Sequence, residues 1–297
     1  MHHDEIDSDA DLVGRLLAAQ QPQWAGLPVE RIASTGTDNA LYRLGDDMVV
    51  RLPLRPSSVR QLAREARWLP FLAPQLPLAV PVPLAAGEPS EADGFPWPWL
   101  VYPWFDGEDA TVAPLDLSTA AADLARFVTA LQVVDPTGGP AANAANHGRG
   151  VPLADRDEFT RQGIAASQGL VDTAAVTAAW DVALRTPAWA GEPVWLHGDI
   201  ASGNLLVQDG RLSSVIDWGA AAIGDPACDL LVAWELFDAA SRQLLRAELD
   251  VDDATWRRGR GWALSTALVA LPYYRDTNPY MAAQAQRKIA EVLTDDA

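Results

Sequence analysis

The chain has 297 residues, is 49% hydrophobic and carries a formal net charge of −18 with one cysteine. That apolar content excludes a disordered chain, and the length suits two unequal lobes better than one small core. The negative charge excludes nucleic acid and acidic membranes as expected partners.

No apolar run approaches the ~20 residues needed to cross a bilayer. The acidic start "MHHDEIDSDADL" is unlike a secretory signal. The lone Cys228 forms no intramolecular disulfide and fits a cytoplasmic location. Between "GDPA" and "DLL" it reads as a small buried residue rather than a nucleophile.

In chain order, residues 9–20 place Leu12, Leu16 and Ala19 on one helical face, and Pro22 follows the stop. Strand-like runs come next at 31–34, 40–44 and 48–52, the last two parted by "GDD" as a hairpin turn. A helix is expected to start at Ser58, with Gln61 completing a capping box. It must end or kink at Pro70. After a proline-rich stretch, "WPWLVYPWF" (97–105) is another apolar run, and Asp106-Gly107 reads as the turn between lobes.

Beyond that turn helices dominate. Leu117, Ala121, Leu124, Val128 and Leu131 lie at helical spacing, and 136–155 reads as a long loop. Further helices are expected over 156–170 and 173–186, and helical patterns run from 228 to the end. Between them, "NLLVQ" and "SSVID" form a hairpin about "DGR". The expected fold is α+β: residues 1–105 form a small antiparallel-sheet lobe with one main helix, and 106–297 a larger, mostly helical lobe.

The chemistry concentrates in "WLHGDIASGNLLVQDGRLSSVID", Trp195 to Asp217. Phosphoryl transfer needs a carboxylate at the acceptor hydroxyl and metal ions against the phosphate charge. Mg²⁺ prefers oxygen ligands from carboxylates, amides and water. Asp199 is followed five positions later by Asn204. On a tight loop, that spacing lets the carboxylate face the acceptor while the amide turns back to a metal. Asp217, at the end of the second hairpin strand, can hold metal against nucleotide phosphates.

On these residues, "HGDIASGN" followed by "VIDWGAAAIGDPACDL" resembles the signature of the aminoglycoside phosphotransferase family, relatives of the protein kinases that include a macrolide-phosphorylating branch. Its two motifs, H-G-D-x-x-x-x-N and I-D-x-x-x-x-x-x-G-D-P-x-x-D, match without a gap. The resemblance implies a bilobal protein-kinase-like fold. It makes Asp199 the catalytic carboxylate, His197 the brace of its loop, Asn204 and Asp217 the Mg²⁺ ligands, and ATP or GTP the donor. Asp225 and Asp229 are expected to cap and anchor a helix and to orient the loop.

The likeness extends over nearly the whole chain. Ser34, Thr35, Gly36 and Thr37 fall where a kinase places its phosphate-covering loop, with one glycine instead of the full pattern. Arg51 stands where protein kinases place a lysine, with Glu65 on the next helix as its natural partner. Arginine stays charged and binds phosphate bidentately, but its planar fork differs from an ammonium. Tyr102 would stand at the rear of an adenine pocket. Pro103 offers only its carbonyl, and Phe105 would supply the N–H for the ring nitrogen. Trp99 and Trp104 are expected to be core or lobe-packing aromatics rather than ligand contacts.

The expected function is an ATP- or GTP-dependent O-phosphotransferase whose acceptor is a small-molecule hydroxyl, an antibiotic of aminoglycoside or macrolide type, with no obligate protein partner. Metabolites such as choline or homoserine stay open, because fold alone does not name the acceptor. Arg51 and the glycine-poor loop motivate a second class, a non-catalytic nucleotide sensor; intact Asp199, Asn204 and Asp217 oppose it. Twelve tryptophans motivate a third, a partner-binding module. For the acceptor groove the candidates are Glu235, Asp238, Tyr273, Tyr274 and Asp276. An acidic lining would suit a polycationic aminoglycoside, an aromatic one a flatter and less charged molecule.

Overall fold

The computed structural model describes residues 8–32 and 39–295. The chain forms two compact units. The first comprises Met1–Gln75, Ala79–Asp106 and Ser214–Gly219, and the second Leu76–Leu78, Gly107–Ser213 and Ala220–Ala297. The division is therefore not a single cut, because the short segment around Asp217 goes with the first unit.

In the first unit, α1 (Ala10–Gln20) begins where the Asp9 carboxylate accepts the Leu12 N–H at 2.7 Å, satisfying a donor that the helix start leaves open. Five antiparallel strands form one sheet: β1 (Val29–Ile32), β2 (Asn39–Leu44), β3 (Met48–Pro53), β4 (Ala85–Gly87) and β5 (Trp99–Pro103), in the order β1-β2-β3-β5-β4. Gly45, at φ +58°, lies in the turn that closes β2 onto β3. Period-two alternation assigns the faces. Ala40, Tyr42 and Leu44 of β2 and Met48, Val50 and Leu52 of β3 are buried with Leu12, Val13, Leu16 and Leu17 of α1. The intervening Val49 and Arg51 belong to the other face, where Val49 packs with Leu62 and Ala66 of α2 (Pro56–Leu72) and with Leu100 and Tyr102. This parity carries Arg51 to the α2 side. At the sheet edge Gly87 is obligatory, since a Cβ there would lie 1.9 Å from the buried Trp99 ring.

Three expectations change here. The first strand begins earlier than expected, at Val29, and is described to Ile32; positions 33 and 34 of the expected run lie outside the described residues. Helix α2 starts at Pro56, whose fixed φ suits the first helical position, and Ser58 lies buried inside the first turn instead of capping it. Pro70 does not end the helix, which continues to Leu72; its missing N–H deprives the Ala66 carbonyl of the usual i→i−4 donor, but only one further turn has to be held beyond it.

The second unit holds β6 (Glu108–Asp109), α3 (Leu117–Gln132), α4 (Asp157–Ala166), α5 (Thr173–Arg185), β7 (Val194–Leu196) and β8 (Leu205–Gln208). Strand β9 (Arg211–Val215) follows and runs on into the first unit, and β10 (Ala222–Gly224), α6 (Ala239–Leu249), α7 (Asp253–Tyr274) and α8 (Pro279–Thr294) complete the second. Helix α7 is apolar on most sides and central, touching α4, α5, α8 and the 3₁₀ segment Pro226–Trp234. Gly163, Gly259 and Gly261 allow these close approaches; a Cβ on Gly163 would lie 2.5 Å from the Leu268 carbonyl oxygen. The 136–155 stretch is not a plain loop. It contains 3₁₀ turns at Ala144–Asn146 and Leu153–Arg156, tied by the fully buried Asn146, whose amide donates to the Arg149 and Ala220 carbonyls. Among the described residues no helix is long and apolar enough to cross a membrane.

Candidate active site

In the second unit, β7 pairs antiparallel with β10, Leu196 opposite Ala222, and delivers the chain into the loop from His197 to Asn204. Gly198 must be glycine: its φ is +84° and a Cβ would lie 2.7 Å from the Ala220 carbonyl oxygen. Asp229 grips the loop entrance, its two oxygens accepting the His197 and Gly198 N–H groups at 2.7 Å each. Burial pushes the Asp229 carboxyl above its usual range, against the pull of His197 and these N–H donors. His197 is fully buried, and its Nδ1 accepts the Asp199 N–H at 3.2 Å. Asp225 caps the 3₁₀ segment through the Ala227 N–H and pairs with Arg258 at 2.8 Å.

The Asp199 side chain is 38% exposed, and one of its carboxylate oxygens lies 3.1 Å from Nη2 of Arg149. Nothing in the sequence motifs pointed to Arg149. Its Nη1 is buried without a hydrogen-bond partner among the described residues. Burial and the neighbouring Arg149 charge bring the Arg156 pKa down to about 10. Asn204 donates its amide N–H to the Asp199 carbonyl at 2.9 Å, which leaves Oδ1 as the end available to a cation. Cys228 is buried with Sγ 3.7 Å from the Gly198 carbonyl oxygen, and burial pushes its thiol up, so it is no nucleophile at neutral pH.

In the first unit, Arg51 meets both oxygens of Glu65, at 2.8 and 3.1 Å, and lies 3.6 Å from Asp217. Tyr102 is buried; its hydroxyl donates to Glu65 and its ring lies 5.5 Å below the Arg51 guanidinium. Burial pushes the Glu65 carboxyl up while Arg51 pulls against it. Burial likewise opposes the Arg51 charge, but Glu65, Tyr102 and Asp217 outweigh it and hold the guanidinium above its ordinary value. Asp217 lies two residues beyond the end of β9, at φ +63°, with its side chain 53% exposed. The left-handed backbone, which Asp tolerates better than most residues, ends the extended run there.

The interlobe candidates also lie in this unit. The Trp104 N–H donates to the Asp47 carbonyl at 2.7 Å, and among the described residues the Phe105 N–H has no backbone acceptor. Pro103 ends β5 opposite Met48. Trp99 is buried, whereas Trp104 is partly exposed and stacks under Arg43 at 4.0 Å. Ser34, Thr35, Gly36 and Thr37 lie outside the described residues.

Each acidic acceptor candidate already has a partner of its own. Glu235 is buried and bound to Lys288 and Ser202. Asp238 caps α6 through the Ser241 N–H at 2.8 Å, and Asp276 pairs with Arg275 at 3.0 Å. Tyr273 and Tyr274 contact each other edge to face, 4.8 Å between centroids, with Tyr273 half exposed.

The sequence pattern of the phosphotransferase enzyme family matches residues 29–262. An aminoglycoside 3'-phosphotransferase of Escherichia coli is 34% identical over 82 residues, 27% of this chain and 30% of its own length. The chain therefore matches less than a third of that curated relative. Among solved structures, the GDP and kanamycin complex of APH(2")-IIia is similar with a TM-score of 0.72 at 20% identity, over 96% of this chain and 99% of that one. The apoenzyme of macrolide 2'-phosphotransferase MphH from Brachybacterium faecium is similar with a TM-score of 0.63 at 25% identity, over 97% and 99% of the two chains.

Proposed function

We propose, from the premise that the chain belongs to the phosphotransferase enzyme family, that this protein transfers the γ-phosphoryl group of ATP or GTP to a hydroxyl of an antibiotic-like small molecule. The observation that carries the reading is Asp199. Its carboxylate is partly exposed while its backbone N–H and carbonyl are fixed by His197 and Asn204.

In this reading Asp199 orients the acceptor hydroxyl and takes its proton as the oxygen attacks phosphorus. Arg149 holds the carboxylate in one orientation, which reduces the reorganisation needed at the moment of reaction. Arg51, kept charged by Glu65, presents its fork to the donor phosphates. The oxygen donors available fit a hard cation: the Asn204 Oδ1 and the Asp217 carboxylate would hold Mg²⁺. Among the described residues no cluster of three or more His, Cys, Asp or Glu is arranged for a metal, so phosphate oxygens and water would supply the remaining ligands. When bound, Mg²⁺ neutralises charge on the transferring group. Ser34, Thr35, Gly36 and Thr37 would meet the phosphates, and the Phe105 N–H and the Pro103 carbonyl would meet adenine or guanine.

Similar proteins support the nucleotide and the acceptor class. One was solved with GDP and kanamycin and another with ADP. Aminoglycosides and macrolides are the first acceptors to test, with choline- and homoserine-like metabolites beside them. Each is incubated with Mg·ATP or Mg·GTP and read by acceptor mass. The expected result is a gain of one phosphoryl group on an antibiotic, lost in Asp199→Ala. Nucleotide binding with no Asp199-dependent product across the panel overturns transfer in favour of a sensor.

A further inference from the structure

We infer that Glu235 and Lys288 are positioning residues, a buried ion pair that fixes the turn between Asp199 and Asn204 from a distance. Lys288 is the one lysine of the chain, which otherwise draws its positive side chains from arginine. Both side chains are nearly buried, 11% exposed for Lys288 and 8% for Glu235. The Glu235 oxygens divide their work. One binds the Lys288 ammonium, and the other accepts both the Ser202 N–H and the Ser202 hydroxyl, each at 2.7 Å.

Ser202 opens the 3₁₀ turn Ser202–Asn204, and Ala201 before it supplies no side-chain cap. A helical start needs an acceptor for its first N–H groups. Glu235 supplies one from elsewhere in the chain. It immediately follows the 3₁₀ segment Pro226–Trp234, which also carries Asp229, the residue that grips His197 and Gly198. One 3₁₀ segment and the residue that caps its end therefore hold the loop at its entrance and at its turn, with Asp199 between the two grips.

A buried ion pair is an expensive way to gain stability, because desolvation offsets the attraction. Two apolar side chains would fill the same space but could not accept the Ser202 donors. The pair therefore makes sense as a geometric device. Its kinetic consequence rests on the functional reading above; its effect on the loop does not.

The test uses the full chain with Lys288→Met and Lys288→Arg. Hydrogen exchange is followed at residues 202–205 and, as a reference, within α7, and calorimetry measures nucleotide affinity with and without Mg²⁺. In Lys288→Met, exchange at 202–205 should rise at least about 10-fold while α7 keeps its protection. The Mg²⁺-dependent gain in nucleotide affinity should shrink. Lys288→Arg should recover part of both. Unchanged exchange at 202–205, or a uniform rise across the second unit, overturns the inference. Should Lys288→Met not fold, Glu235→Gln, which keeps an acceptor for Ser202 but loses the charge, is read by the same two criteria. A wild-type protein that binds no nucleotide overturns the phosphotransferase reading alone and leaves the exchange result to decide this one.

Discussion

Glu65 in the first unit and Glu235 in the second are both buried carboxylates that face a cation, yet their proton affinities move in opposite directions. Burial pushes both up. At Glu65 it prevails, because Arg51 is divided between Glu65 and Asp217 and the second carboxylate adds repulsion. At Glu235 burial loses: Lys288 and the two Ser202 donors hold the carboxyl below its ordinary range. The first cluster is open and shared, with a cation that has a half-exposed neighbour able to meet a ligand. The second is closed and saturated, which suits a brace.

The largest test of this contrast strips each carboxylate of its cation. Arg51→Met should cost about 3–5 kcal/mol, the usual penalty of an orphaned buried charge, as measured by urea unfolding, whereas Lys288→Met, in which Glu235 keeps both Ser202 donors, should loosen the turn locally and leave the global midpoint nearly unchanged. The contrast predicts that Mg-nucleotide raises the midpoint of Lys288→Met more than that of Arg51→Met, since only the latter loses the group proposed to meet the donor phosphates. Equal responses would break the distinction.

A milder probe is Arg51→Lys. A single ammonium cannot span Glu65 and Asp217 as the guanidinium does. Nucleotide affinity should fall about 10-fold, with stability near that of the wild type, as read by calorimetry and thermal unfolding.

Acid and base separate the two sites by sign. Glu235 has a lowered pKa, so its contribution is present above the ordinary value of 4.5 and is lost as pH falls through the folded value. Glu65 has a raised pKa, so its contribution is present below 4.5 and is lost as pH rises through the folded value. Relative to wild type, Glu235→Gln should flatten the acid side of the stability–pH curve and Glu65→Gln the side above 4.5. Slopes of the same sign would show that the two clusters are alike.

The smallest effects come from single hydroxyls. Tyr102→Phe removes one donor from Glu65 and should cost roughly 1–3 kcal/mol, because a buried acceptor is left short. Ser202→Ala leaves Glu235 its backbone donor and Lys288, so about 1 kcal/mol is expected from chemical unfolding.

How much was legible beforehand followed the range of each interaction. Asp199, Asn204 and Asp217 sit in one stretch whose order and spacing are themselves the signal. The Arg51–Glu65 pairing was legible through the resemblance, which puts a cation on this strand and its partner carboxylate on the next helix. Arg149 was not, since its partner lies 50 positions on and its surroundings read as loop. The flanking glycines of "HGRG" were the available hint: Gly150 has φ +83°, and a Cβ there would lie 2.5 Å from Leu196, the mark of a forced backbone rather than a slack one. Glu235 is an acceptor-groove candidate because its segment could line or support that groove, a reading that sequence leaves open between lining and support. The counter-signal was the solitary lysine, which composition revealed without saying whom it meets. At α2 two start signals competed, Pro56 and the Ser58/Gln61 pair, and the fixed φ of proline prevailed.

The membership of Ser214–Gly219 in the first unit bears on how this molecule can be taken apart. A fragment truncated after Asp106 would keep Arg51, Glu65 and Tyr102 but leave Asp217 behind on the other piece. Chimeras that exchange acceptor preference between relatives face the same constraint. A swap of everything beyond residue 106 would replace the carboxylate that shares Arg51, whereas grafts that keep the 214–219 segment with its native partners would leave the Arg51, Glu65 and Asp217 charges together.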